Sequence, residues 1–153
     1  PQEAMSVPRL ALVIQRASRA AHIPTDAVLR RWARAALTQP ARVTLRYVAE
    51  AEGRKLNREF RGRDYATNVL TFIYVWGNGL EGDVVICAPV VAREAREQGK
   101  ETSAHHAHLL VHGLLHLQGM DHELSARHAR RMEVVEVGIL NRLGIDNPYV
   151  NST

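Results

Sequence analysis

Two periods organise the apolar positions of this chain, and the change from one to the other divides it roughly in half. Leu10 to Ile14 (LALVI) is a short apolar run that predicts a buried strand. In HIPTDAVLRRWARAAL, Val28, Leu29, Trp32 and Ala36 fall at helical spacing behind Thr25, a predicted N-cap. RVTLRYV alternates, with Val43, Leu45 and Tyr47 on one face and Thr44 and Arg46 on the other, the pattern of a half-solvated strand. A short, highly basic segment follows, ending at Arg61-Gly62-Arg63-Asp64, and no regular element is assigned to it. Asn68 to Val75 (NVLTFIYV) is rich in β-branched and aromatic residues and predicts a strand. The turn WGNGLEG leads into another strand, Asp83 to Cys87.

After Pro89 the period becomes helical. Helices are predicted over Val90 to Gln98, Ala104 to Gln118 and Leu124 to Leu143, each stopped by a glycine: Gly99, Gly119 and Gly144. Strands early and helices late imply an α+β domain rather than regular βαβ alternation. At 153 residues the chain is expected to form one domain over 1–153 with a real core. Met5 is read as the native start, with Pro1 to Ala4 as a remnant ahead of it.

Composition adds little: 46% hydrophobic and 24% charged residues are ordinary globular values. A formal charge of +4 fits a nucleic-acid partner without requiring one. Cys87 is the sole cysteine, so an intrachain disulfide is excluded, and its apolar setting predicts a buried, unreactive thiol. A cytoplasmic location is the default expectation, with no membrane span and no secretory signal in PQEAMSVPRLALVIQ.

The chemistry concentrates in HGLLHLQGMDH, His112 to His122. Residues four apart share a helix face, so His112 and His116 present two imidazoles to one ion. Gly119 lets the chain reverse, and His122 can then return as a third ligand. Three imidazoles leave a tetrahedral zinc one open position, the arrangement of a catalytic site. His108, four before His112, and His105, three before His108, offer further pairs, and a stripe of histidines also fits a buried hydrogen-bonded network or a pH-sensitive face. The apolar neighbours Leu114, Leu115 and Leu117 favour the downstream set, because an unpaired imidazole there is costly. Gly113 occupies the place of the glutamate in HExxH, which argues against peptide hydrolysis by that route.

These residues carry a resemblance. HGLLHLQGMDH resembles the HGxLHxxGxDH signature of the YbeY family of metal-dependent endoribonucleases. LNREFRGRDYATNVLTF is similar to that family's segment LNxxYRGxDxxTDVLSF, while GDVVIC and AREAREQGK match its GDI-type strand and the helix end before the histidine helix. The likeness spans roughly residues 40 to 147. It implies an α+β fold with a small mixed sheet of about four strands and a zincin-like metal-binding helix. It implies one Zn2+ held by His112, His116 and His122, with Arg61 serving catalysis and His108 in a supporting role. It further implies activity on single-stranded RNA, including the 3′ end of 16S rRNA, and on ribosomal particles, with ribosomal or assembly proteins as partners. Asn68, Thr71, Ile73-Tyr74 and Met120 depart from the pattern and bear on the groove beside the metal.

Phosphodiester hydrolysis needs a nucleophile, charge neutralisation and a proton for the leaving group. A metal supplies the first and part of the second, and a forked guanidinium suits the rest. Arg61 is the candidate, with Arg63 as understudy; Arg54, Lys55 and Arg58 are read as tracking the RNA backbone, extended by Arg42 and Arg46. Asp121 has two readings, an orienter of a ligand imidazole and a general base, of which the first is favoured. Trp32 is read as core, while Tyr47, Tyr74 and Trp76 fit either core or groove. Arg127, Arg130 and Arg131 with Glu123, Glu133 and Glu136 read as the solvated face of the last helix, its apolar side covering the metal helix. Two alternatives to the endoribonuclease stand: a zinc hydrolase of a non-RNA substrate, and a non-catalytic ribosome-binding module. Nickel, cobalt or iron would also accept three imidazoles.

Overall fold

The computed structural model describes residues 9–75 and 79–150, so Met5 and Trp76 lie outside the described residues. Nine elements follow in the order β1 (Leu10–Ala17), α1 (Asp26–Ala36), β2 (Ala41–Val48), α2 (Glu50–Arg61), β3 (Val69–Val75), β4 (Leu80–Cys87), α3 (Ala88–Gln98), α4 (Thr102–Leu117) and α5 (Ala126–Arg142). The strands form one sheet in the order β1-β2-β4-β3. β1 and β2 are parallel, β2 and β4 are parallel, and β3 runs antiparallel to β4, which makes the sheet mixed and the fold α+β as expected.

β2 and β4 are central and read accordingly. Val43, Leu45 and Tyr47 are all buried, as the alternation predicts, and Tyr47 belongs to the core rather than to a groove. In β4 the run Val84, Val85, Ile86 and Cys87 is buried throughout, because helices cover both faces. Val84 and Ile86 pack with the leucines of α4 and with Trp32 of α1 in the main core. Val85 and Cys87 join Val48, Leu70 and Val90 on the opposite face, where Leu56 of α2 covers them. Cys87 is thus the buried thiol expected, its pKa raised by burial.

Two expectations are corrected. β1 is not a buried strand: it lies at the sheet edge, where only Leu12 is buried and Val13 is 55% exposed. The basic segment before Gly62 is not irregular; it is α2, a helix whose buried residues are Gly53 and Asn57.

α4 is the spine, packing against α1, α3, α5, β3 and β4. Gly113 sets its distance from the sheet, since a Cβ there would stand 3.0 Å from Val84 Cγ1 and 3.4 Å from Thr71 Cγ2. Its end is fixed by Gly119 at φ +98°, with Met120 N donating to Leu115 O at 3.1 Å. Gln118 reaches across to donate to Ala36 O and to accept from Thr38, which ties that end of α4 to the end of α1.

Candidate metal centre

His112 and His116 lie one turn apart near the end of α4, and His122 returns from the turn beyond Gly119. The three rings converge. Their centres are 5.0 Å apart for His112 and His122, 5.7 Å for His116 and His122, and 6.0 Å for His112 and His116. Imidazoles sharing one tetrahedral zinc through nitrogens at about 2 Å place their ring centres roughly 5 Å apart, so the arrangement needs only a small closure to hold an ion.

The orientation of His112 is set from α5. Glu136 is 1% exposed, and its Oε2 lies 3.0 Å from His112 Nδ1 and 3.2 Å from His108 Nε2, while Tyr149 donates to Oε1 at 2.7 Å. Burial opposes the charge on Glu136, but the hydrogen bonds from His108, His112 and Tyr149 outweigh it and bring the carboxyl down to about 2. An ionised carboxylate only accepts, so His112 carries its proton on Nδ1 and keeps the Nε2 lone pair for a metal. The reading of Glu136 as part of a solvated face is corrected here. On α5 it shares the inward stripe with Met132, Ile139 and Leu140, all buried. A glutamate at that stripe position is the signal that would have revealed it.

Among the described residues, two groups bring donors within 4.8 Å of one another: His108, His112 and Glu136, and His116, Asp121 and His122. The first is already closed by its own hydrogen bonds, with His108 Nε2 also 3.1 Å from Tyr149 Oη. His112 belongs to the first group alone, and only the spacing of its ring from those of His122 and His116 relates it to the second. Asp121 Oδ1 accepts from Glu123 N at 2.8 Å and stands 3.9 Å from His116 Nε2, which makes it a brace of the turn that carries His122. Burial, followed by the neighbouring His112, lowers the pKa of His116 and so favours its neutral imidazole.

Arg61, at the last turn of α2, faces this cluster and sits 3.7 Å from Glu123. It lines two adjoining clefts of about 300 and 390 Å³, both containing His112 and His122 and both walled by β3. A further cavity of about 570 Å³ lies around Lys100, His105 and Leu143 and contains none of the three converging histidines.

The other basic candidates separate. Arg54 makes a bidentate pair with Asp64 at 2.8 and 2.9 Å, and Arg58 stands 3.7 Å from the same carboxylate. Arg46 is held by Glu52 and Gln15, so it is committed to the fold. Lys55, Arg63 and Arg42 are exposed. Tyr74 is exposed and donates to Asp83, away from both clefts.

The family model for Endoribonuclease YbeY matches residues 14–144. The chain belongs to the endoribonuclease YbeY family. The match extends the likeness well before residue 40, to include the end of β1 and all of α1. An endoribonuclease YbeY from Aromatoleum aromaticum is 59% identical over 144 residues, covering 92% of this chain and 93% of that protein. A longer one from Azoarcus sp. is 53% identical over 157 residues, and this chain spans 62% of its length. The solution structure of TM1509 from Thermotoga maritima shares the fold, with a TM-score of 0.55 at 22% identity over 91% of this chain and 99% of that one. Membership in the YbeY family makes the chain a nuclease of the hydrolase class.

Proposed function

We propose that this chain is a single-domain, metal-dependent endoribonuclease of single-stranded RNA, working in the cytoplasm on rRNA, including the 3′ end of 16S rRNA, and on ribosomal particles with their assembly proteins. The observation that carries the reading is the convergence of His112, His116 and His122 beside Arg61 in one cleft. The donor set fits a divalent ion, with zinc preferred for three neutral nitrogens and nickel, cobalt or iron compatible with them. When bound there, the ion supplies an acidified water and part of the charge neutralisation at the phosphate.

The chain's own groups account for the rest. Glu136 and His108 fix the His112 ring, and Asp121 braces the turn bearing His122. Arg61 exchanges its loose contact with Glu123 for the non-bridging phosphate oxygens, where its fork spreads positive charge as the phosphorane-like charge develops. Arg54, Lys55, Arg58 and Arg63 follow the flanking phosphates, an attraction that weakens with salt. No membrane contact is required, and no helix among the described residues is long and apolar enough to cross one.

The test is cleavage of a single-stranded RNA oligonucleotide by wild type and His116→Ala, with metal content measured on both. Wild type is expected to cut and to carry about one ion per chain, and the variant to lose both. Equal cutting by the two proteins would remove the histidine cluster from the reaction.

A further inference from the structure

Phe60 is out of place for a core residue. Along α2, Gly53, Asn57, Phe60 and Arg61 are spaced as one helix face, buried at Gly53 and Asn57 and exposed at its end. Gly53 and Asn57 are buried beneath it, yet Phe60 is 62% exposed. The stripe runs past the edge of the core and out over the cleft, so the helix turns its single aromatic toward substrate space. The ring meets Phe72 of β3 edge-on, with centres 5.1 Å apart and planes at 72°. That contact holds the ring without stacking over it. Phe60 lines the 390 Å³ cleft together with Arg61, His112, His116 and His122.

A phenyl ring carries no charge, donates no hydrogen bond and gives nothing to a phosphate. Its face offers dispersion and quadrupole attraction to another flat π-system. Single-stranded nucleic acids present such systems, and a base stacks on an aromatic side chain with little regard to its identity. Arg61 and Phe60 are adjacent in sequence and share the cleft, so they match the phosphate and the base of one nucleotide. We infer that Phe60 is the floor of a nucleobase subsite, on which one base of the RNA stacks while Arg61 engages a phosphate beside it. This rests on the endoribonuclease reading above. A protein partner covering an apolar patch is disfavoured, because the same cleft is lined by Arg61 and three imidazoles.

The experiment compares wild type, Phe60→Leu and Phe60→Trp on a single-stranded RNA oligonucleotide, together with matched oligonucleotides carrying one abasic nucleotide at successive positions around the cut. Leucine keeps an apolar contact with Phe72 but has no face; tryptophan restores the face. The leucine variant is expected to raise KM roughly ten- to hundredfold with kcat within about twofold, and tryptophan to restore KM. One abasic position is expected to weaken the wild type by a similar factor and to leave the leucine variant unchanged, which a merely structural role would not produce. A wild-type KM in Phe60→Leu, or an abasic penalty that persists in it, overturns the subsite while leaving the nuclease reading intact. Failure of the wild type to bind or cut any of the RNAs overturns both. Thermal melting of each variant separates loss of fold, which would show in kcat and Tm together, from loss of the platform.

Discussion

A carboxylate that is 1% exposed keeps its charge only if donors surround it, and Glu136 has three: His108, His112 and Tyr149. The energetic balance is visible in the direction of its pKa, where burial alone would raise it and the donors bring it to about 2. Glu136→Gln keeps the shape but removes the charge, and its amide nitrogen must face one of the three donors. Metal affinity is therefore expected to fall about ten- to hundredfold, with the fold retained. Competition against a chromophoric chelator measures this; an unchanged affinity would mean that His112 needs no help to keep its tautomer. Tyr149→Phe should cost less, since Tyr149 bonds the other carboxylate oxygen. The three convergent histidines were legible in the sequence because four-residue spacing and a glycine stop are local facts. Glu136 was not, because its partner lies on a different helix and the mixed charges around it read as a wet surface. Its place in the stripe with Met132, Ile139 and Leu140 held the information.

At the scale of elements, α4 and the sheet decide how wide the cleft is. Gly113 brings the helix against β3 and β4, and its absent Cβ would stand within 3.0 Å of the buried Val84. This position therefore answers to packing, which is a physical reason for glycine where a peptidase of the HExxH type carries its base. Gly113→Val adds a branched side chain to this contact and should destabilise the protein by about 1–3 kcal/mol, through overpacking that the gain in helix propensity does not offset. Denaturant midpoints give the number, and a variant as stable as wild type would show that α4 has room to move off the sheet. α2 shows the limit of pattern reading at this scale. EAEGRKLNREFR offers Leu56 and Phe60 as its only large apolar residues, and its buried face is made by Gly53 and Asn57. No apolar periodicity marks such a helix. It is placed by a backbone approach to Cys87 at Gly53 and by Asn57 donating to Tyr65 O at 2.7 Å, both tertiary facts. β1 erred the other way, since an apolar run cannot report that one of its neighbours is solvent.

Across the whole molecule the core is apolar except at a few points, and His106 is the one with a consequence for stability. It is 1% exposed, meets Tyr47 of β2 edge-on at 5.6 Å, and among the described residues has no hydrogen-bond partner at Nδ1. Burial, and then the neighbouring imidazoles of His105 and His22, bring its pKa from 6.5 down to about 4. The unfolded chain therefore binds this proton more readily than the folded one. Stability from this source is complete above about pH 6.5, declines as pH falls, and levels off once pH is below about 4. A shift of that size corresponds to roughly 3 kcal/mol across the window. His106→Leu removes the titration while keeping the volume close to filled, so its stability should fall less than that of wild type between pH 7 and pH 4.5. The comparison is made by denaturant melts of both proteins at the two pH values in the presence of a chelator, so that metal release at the other histidines is common to both and cancels. If the two proteins lose stability in parallel, His106 is reached by water or finds a partner on protonation, and the core around Tyr47 is less closed than its burial indicates.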